Sequence, residues 1–389
     1  MGLTAAPEVA AFALDGVTPR RHVAARSVED VVAAILEANA SREAVVLWSG
    51  GTRITVGDPP ERYDTALDLR GLRGVIAHEP ADLTVTVLAG TTMSELAATL
   101  APHGQRWPVE VADPDRATVG GTIASAAGGP SRHRYFHVRD RTIGCRAVLG
   151  DGTLTRAGGR VVKNVTGYDL TRLYSGSYGT LAALVEVTLK LEPVPERTLT
   201  LRADLPDPSM GYRATRELMR ARLPLDSVAM LMGDVGADLC PTWTSLYVRL
   251  AGTEESVERL RGAVRKHAPL VEAPGDVWTR IASLPSASLV SLRASWPPGE
   301  PIEIYPERAV WYPGVDLMYI LDREVAADHL RGVRAGLEAR AGALVVERAP
   351  PELRRAVGTW GAPRLPLEIA RRLRSAFDPN GVLAPGRVP

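Results

Sequence analysis

Apolar residues first fall into a readable pattern behind Ser27. Val31, Val32, Ile35 and Leu36 recur at helical spacing, and Asp30 stands three residues after Ser27 as the partner of a capping box. The spacing predicts a helix from about residue 28. A strand over Ala44–Trp48 follows and breaks at Ser49-Gly50-Gly51-Thr52-Arg53. Further strands are expected over Thr65–Leu69, Gly74–Ala77 and the alternating Leu83–Ala89. Thr92-x-x-Glu95 opens a second capped helix that ends at His103-Gly104. This rhythm predicts two β–α–β units, each ending near a glycine-rich turn. Met1–Pro19, ahead of them, reads as a loosely held lead-in.

The pattern changes after Pro193-Val194-Pro195, where two prolines cannot serve a central strand. Strands over Thr198–Leu201, Val228–Met232, Ser245–Leu250 and Leu317–Leu321 then alternate with helices near 209–221, 254–267 and 323–341. An antiparallel sheet with helices on one face is expected, an α+β cap. Pro297-Pro298-Gly299-Glu300-Pro301 reads as a loop. A last helix spans about Leu367–Phe377, before the turn Asp378-Pro379-Asn380-Gly381. The expected organisation is a domain over 20–195, a smaller domain over 196–345 and a segment over 346–389 that returns to the first. No internal repeat is visible.

Composition narrows the classes. The 389 residues carry a net charge of +1, with 45% apolar and 23% charged residues. That balance fits a globular enzyme and favours neither nucleic acid nor a membrane surface as partner. Cys145 and Cys240 lie far apart in apolar surroundings and read as reduced, buried thiols, with no spacing for zinc or an iron–sulfur cluster on this chain. Met1–Gly16 lacks the basic and apolar regions of a signal peptide, and no run suffices for a spanning helix. A cytoplasmic protein is expected.

The chemistry concentrates between Thr118 and Leu191, where four glycine clusters are separated by apolar runs. Glycines placed so allow backbone to approach a large ligand. Gly50-Gly51 after a strand can offer N–H groups to an anion. Neither a P-loop nor a Gly-x-Gly-x-x-Gly between strand and helix is present. Gly120-Gly121, followed by Ala124, Ser125, Ala126 and Ala127, strips side-chain bulk from a short helix. Its N-terminus and bare face are expected to accept a flat, polar cofactor. Ser131–Asp140 is rich in donors. Arg134 and Arg139 are candidates for holding a carboxylate, and His133 and His137 for a general base. No acid accompanies the two histidines, so no metal is expected.

Several stretches occur in one order: Ser-Gly-Gly-Thr at 49–52, Thr-Val-Gly-Gly-Thr-Ile-Ala at 118–124, Val-Arg-Asp at 138–140, Gly-Gly-Arg-Val-Val-Lys-Asn-Val-Thr-Gly-Tyr-Asp-Leu at 158–170, Gly-Ser-Tyr-Gly-Thr-Leu at 176–181, and Phe-Asp-Pro-Asn-Gly-Val-Leu-Ala-Pro-Gly-Arg at 377–387. Together they resemble the FAD-linked oxidases of the vanillyl-alcohol oxidase / p-cresol methylhydroxylase (PCMH) type, and within them the FAD-binding E subunit of glycolate oxidase. The likeness covers about residues 20–195 and the last 15 or so. It implies a PCMH-type fold of two α/β subdomains that sandwich FAD, an α+β fold overall with the cap above the flavin. It implies FAD held without a covalent link, since no histidine stands in the Ser49–Arg53 loop. By the same resemblance, Ser49, Gly50, Gly51, Thr52 and Arg53 hold the pyrophosphate. Asp113, Pro114, Thr118, Gly120, Gly121, Ala124 and Ser125 line the ribityl chain and phosphates. Arg139 and Asp140 lie near the cofactor, and Leu184 and Val185 meet the adenine end.

Three positions depart from the family pattern. Ser49 and Ala182 replace glycines, and Phe136 stands where a glycine is common, which is expected to crowd the flavin side. The metal motif of the catalytic partner subunit is absent. The resemblance implies oxidation of a 2-hydroxy acid such as glycolate by hydride transfer to flavin N5. An alternative is a flavin-bearing structural or electron-relay subunit, with catalysis in a homologous FAD chain and electrons leaving through an iron–sulfur subunit. A third is a stand-alone oxidase of an alcohol or sugar acid. In an assembly, contact with the inner membrane would be peripheral and through partners.

Overall fold

The computed structural model describes residues 7–159, 168–236, 238–273, 275–298, 306–363 and 366–388. Residues 160–167 of the glycine-rich stretch at 158–170, and residues 299–301 of the loop at 297–301, lie outside the described residues.

Three strands, β1 (Arg21–Ala24), β2 (Val45–Trp48) and β3 (Thr65–Asp68), form a parallel sheet in the order β1-β3-β2. Helix α1 (Val28–Ser41) makes the crossover from β1 to β2. Both bonds of its capping box form, between the Ser27 side chain and the Asp30 N–H and between Asp30 and the Ser27 N–H. Its fully buried Val31, Ile35 and Ala38 pack on Leu67 of β3 and reach Val148 and Val185 of the next sheet.

That next sheet is antiparallel, in the order β4-β5-β8-β6-β7. Its strands are β4 (Val75–Glu79), β5 (Thr84–Leu88), β6 (Thr142–Leu149), β7 (Leu154–Gly158) and β8 (Ala182–Lys190). The second β–α–β unit does not form. β4 and β5 run antiparallel, and α2 (Met93–Leu100) leads to Gln105–Arg106, which pairs with Glu192–Pro193 instead. Alternation identifies a strand but not the direction of its neighbour. Met1–Ala6 of the lead-in lie outside the described residues, and the part that follows is not loose either. Phe12 and Leu14 are buried against Val46, Tyr63 and Ala66, and Asp15 bonds the buried Arg354.

The cap is an eight-stranded antiparallel sheet. Its strands are β9 (Arg197–Leu205), β10 (Ser227–Met232), β11 (Thr244–Gly252), β12 (Val271–Glu272), β13 (Val290–Ser295), β14 (Ala309–Tyr312), β15 (Leu317–Asp322) and β16 (Ala343–Arg348), in the order β12-β9-β11-β10-β14-β15-β13-β16. Helices do not keep to one face. Helices Pro208–Arg220, Glu254–Val264 and Ala327–Glu338 pack on the side of Val228, Met230 and Met232, while the helix Val277–Ala287 packs on the side of Ala229 and Leu231. Cover on both faces is why all six residues of β10 are buried. β16 runs across the boundary expected at 345, so the cap sheet extends to Arg348.

The chain then returns. Leu383 bridges Val45 in parallel, and the Ala384 N–H donates to the Val45 carbonyl at 2.8 Å. Arg354, 1% exposed, donates to the carbonyls of Thr55 (3.0 Å) and Gly57 (2.8 Å). The loop after β2 is therefore fastened from the far end of the sequence.

Candidate functional site

An open cleft lies between the loop after β2 and the short helix α3 (Val119–Ala124). Two segments meet so closely at the loop that only glycine fits. A Cβ on Gly50 would stand 1.7 Å from the Arg116 carbonyl oxygen. Arg116 fixes the contact by donating to the Gly50 carbonyl at 3.2 Å. Among the described residues, the N–H groups of Gly50, Gly51, Thr52 and Arg53 have no protein acceptor. Four free donors on one turn suit an anionic group.

Helix α3 contributes its face and not its end. Thr91 accepts from the Val119 N–H, Ala89 from the Gly120 N–H, and the Thr118 hydroxyl from the Gly121 N–H. The N-terminal donors are spent, so the expectation that this N-terminus receives a ligand is corrected. The bare side of the helix, Gly120, Gly121, Ala124 and Ser125, does line the cleft, with Thr118 and Leu184 beside it. Ser49, Gly51, Thr52 and Arg53 form the facing wall.

Other sequence candidates stand outside this lining. Asp113, at φ 51°, and Pro114 build the turn ahead of Thr118; Asp113 accepts from the Ala117 N–H and Pro114 from the Ser94 N–H. Asp140 caps the turn at His137 and pairs with Arg172 at 3.0 Å. Val185 points into the core, and its carbonyl accepts from Ala89. Arg134 donates to the Ala251 carbonyl of the cap at 3.1 Å. His133 fills the space over Gly314, where a Cβ would meet its Nδ1 at 1.7 Å. Both residues join domain to cap. Arg139 is exposed. Phe136 does not crowd the cleft, because it is 65% exposed. Its departure from glycine shows instead as a φ of 62°.

Sequence reasoning missed a charged cluster on the cap side. A second cavity, sharing Thr52, Arg53, Gly121 and Ser125 with the first, runs up to Tyr312 and Tyr319. Arg53 pairs with Glu347 of β16 at 2.9 Å, and Arg293 of β13 pairs with the same carboxylate at 2.6 Å. Burial opposes the Glu347 charge, but the two guanidiniums outweigh it and hold the carboxyl below its usual range. Arg132 lies within the field of Tyr319, Arg293 and Glu347, and burial lowers its pKa. Its Nη2 lies 2.9 Å from Nδ1 of His137. Burial, then the charges of Arg132 and Arg139, push His137 down to about 4, although part of its surface faces solvent. Arg387, quoted in the terminal motif but given no role, also lines the first cleft.

Comparison with known proteins fits this geometry. A family profile described as a FAD binding domain matches residues 19–158. Glycolate oxidase subunit GlcE of Escherichia coli (strain K12) is 32% identical over 266 residues, covering 64% of this chain and 71% of that one. The chain belongs to the PCMH-type FAD-linked oxidases. Other relatives in this family match over less of their length. Glycolate oxidase subunit GlcD of Bacillus subtilis (strain 168) is 28% identical over 53% of this chain and 44% of its own, and D-2-hydroxyglutarate dehydrogenase of Xanthomonas citri pv. viticola is 35% identical over 46% and 38%. The fold matches alkyldihydroxyacetonephosphate synthase, with a TM-score of 0.72 at 16% identity over 95% of this chain and 77% of that one. It also matches p-cresol methylhydroxylase, at 0.68 and 16% identity over 94% and 88%.

This PCMH-type chain is a FAD-binding oxidoreductase with FAD as its cofactor. The residues present fit it. Free N–H groups on the Gly50–Arg53 turn suit a pyrophosphate, and the bare face of α3 leaves room for a flat ring. Arg387, 3% exposed, adds a cation whose Nη1 has no protein acceptor.

Proposed function

We propose that this chain is the FAD-bearing subunit of a 2-hydroxy-acid oxidoreductase and oxidises a short acid of the glycolate type. The relatives' names, glycolate oxidase subunits and D-2-hydroxyglutarate dehydrogenase among them, support the substrate class. The observation that carries the reading is the group of guanidiniums, Arg53, Arg132 and Arg293, gathered around Glu347 beside the FAD cleft, since an acid substrate needs a cationic partner next to the flavin. The chemistry supplied by bound FAD is uptake of a hydride from the carbon that bears the hydroxyl. The Gly50–Arg53 turn and the α3 face hold the cofactor, and Thr118 keeps that helix capped. Arg132 takes the carboxylate-holding role that the sequence offered to Arg134 and Arg139. His137 accepts from Arg132 and keeps it placed.

A second reading is an electron-relay subunit that works with a homologous FAD chain and an iron–sulfur subunit. One observation favours it. The ionisable groups at the cavity are guanidiniums, phenols and an ion-paired carboxylate, and His137 beside them is held near 4, far from the neutral pKa of an efficient base. In either case the two buried free thiols suit the cytoplasm. No helix among the described residues is long and apolar enough to cross a membrane, so contact with the inner membrane is proposed to run through partners.

Adding glycolate, D-lactate or D-2-hydroxyglutarate to the purified, FAD-loaded chain without oxygen tests the choice. Bleaching of the flavin by at least one acid is expected. A flavin that bleaches only after the partner chain is added assigns the relay role.

A further inference from the structure

We infer that Tyr178 faces the flavin of bound FAD and raises its reduction potential, a role for which the chain keeps a tyrosine in a backbone conformation suited to glycine. The inference rests on the proposed function only for which end of FAD lies here. A ring that takes up hydride must meet the substrate, and the cleft adjoins the second cavity at Thr52, Arg53, Gly121 and Ser125. Tyr178 lines the cleft together with these four residues. Its φ is 52°, in the left-handed region, where a bulky side chain is strained. Gly176 and Gly179 on either side take φ of 84° and 74° freely. A glycine at 178 would do the same, so the tyrosine is kept for its side chain.

The strain persists because the turn is fixed from outside. The N–H groups of Gly176 and Tyr178 donate to the carbonyls of Ile123 at 3.3 Å and Ala124 at 2.8 Å, at the end of α3. The ring is braced as well. It meets Trp360 edge-on, with centroids 5.0 Å apart, and the Trp360 Nε1 donates to the Arg387 carbonyl at 2.8 Å. The phenol lies in the field of three guanidiniums, Arg53 of the turn, Arg293 of β13 and Arg387 of the chain's last segment. Glu347 answers one positive charge while pairing with both Arg53 and Arg293, so the surroundings stay cationic. An O–H donor in cationic surroundings favours negative charge that develops next to it. Hydride uptake adds such charge, so the phenol favours the reduced cofactor.

Titrating the FAD-loaded chain with dithionite and a reference dye, without oxygen, reads the potential and needs no substrate. Tyr178→Phe keeps the ring and the backbone and removes only the hydroxyl. It should retain FAD and disfavour the reduced cofactor about tenfold, a potential about 30 mV lower for two electrons. Tyr178→Leu should lower the potential as well and raise the flavin fluorescence, because an electron-rich ring in contact with a flavin quenches it. Tyr178→Phe carries the test should the leucine variant fail to fold. A wild-type potential in Tyr178→Phe overturns the inference. Wild-type fluorescence in a folded Tyr178→Leu overturns the contact itself. A lowered potential in Tyr178→Phe, in a protein that no 2-hydroxy acid bleaches, keeps the inference and removes the oxidation reading instead.

Discussion

His133 and His137 stand four residues apart, and the sequence offered both for one task. The structure separates them. His133 is pressed on the cap at Gly314, and His137 is bonded to Arg132. Position in the fold decides which chemistry each can do. The folded His137 titrates near 4 and an unfolded histidine near ~6.5. Between those values the unfolded chain binds a proton that the folded chain refuses, so this residue makes stability fall as pH drops from about 6.5 toward 4. Thermal melts of His137→Gln should therefore lose less melting temperature than wild type between about pH 6.5 and pH 4.5. An equal loss in both proteins would remove the assignment. The charged cluster was hidden for a related reason. Arg293 sits in Val-Ser-Leu-Arg-Ala-Ser and Glu347 in Ala-Leu-Val-Val-Glu-Arg, two strands whose paired charges stand 54 residues apart. A charge in an otherwise apolar strand is the signal the sequence held, and pairing across the sheet is what gives it meaning.

At the scale of elements, capping was legible because its chemistry is local. Ser27 with Asp30 and Thr92 with Glu95 both close as read. Strand existence was legible too, but strand partners were not, because alternation fixes a face and leaves direction to the rest of the fold. Helix α3 shows the same limit. Its small residues predicted a bare surface correctly, yet the fate of its N–H groups depended on Ala89 and Thr91, some thirty residues earlier in sequence. Gly120 is the contact that sets this helix on β5. A Cβ there would stand 2.6 Å from the Ala89 Cβ and 2.9 Å from its carbonyl oxygen. Gly120→Ala should force the two apart and destabilise the protein by about 1–3 kcal/mol, with weaker FAD retention. Denaturant unfolding and FAD dialysis measure the two effects. Unchanged stability with FAD fully retained would show that the helix has slack.

Across the whole molecule, the cap is fixed to the FAD domain by a buried polar network. Arg249 of the cap reaches Glu110 at 2.5 Å and Ser131 at 2.6 Å, while Asp226, fully buried, takes Arg249 at 2.6 Å and Arg106 at 3.3 Å. Removing one partner of such a network costs far more than the pair contributes, because a charge is left buried alone. Together with Arg53–Glu347, it holds the cap so that the cleft at the Gly50–Arg53 turn and the cavity reaching Tyr319 adjoin in one space walled in common by Thr52, Arg53, Gly121 and Ser125. The sequence foretold the glycine-lined half of that space, because glycine patterns mark backbone that must approach a ligand. It did not foretell the cap half, where ordinary Tyr, Arg and Glu gain their role from tertiary placement. The central claim is that the cleft between this turn and α3 holds the FAD. Equilibrium dialysis of wild type and Ala124→Phe against FAD, with circular dichroism to confirm the fold, tests it most directly, since Ala124 lines the cleft and a phenyl ring there fills it. The account predicts about equimolar FAD on the wild type and a folded, colourless variant. A variant that binds FAD as tightly as wild type would contradict it.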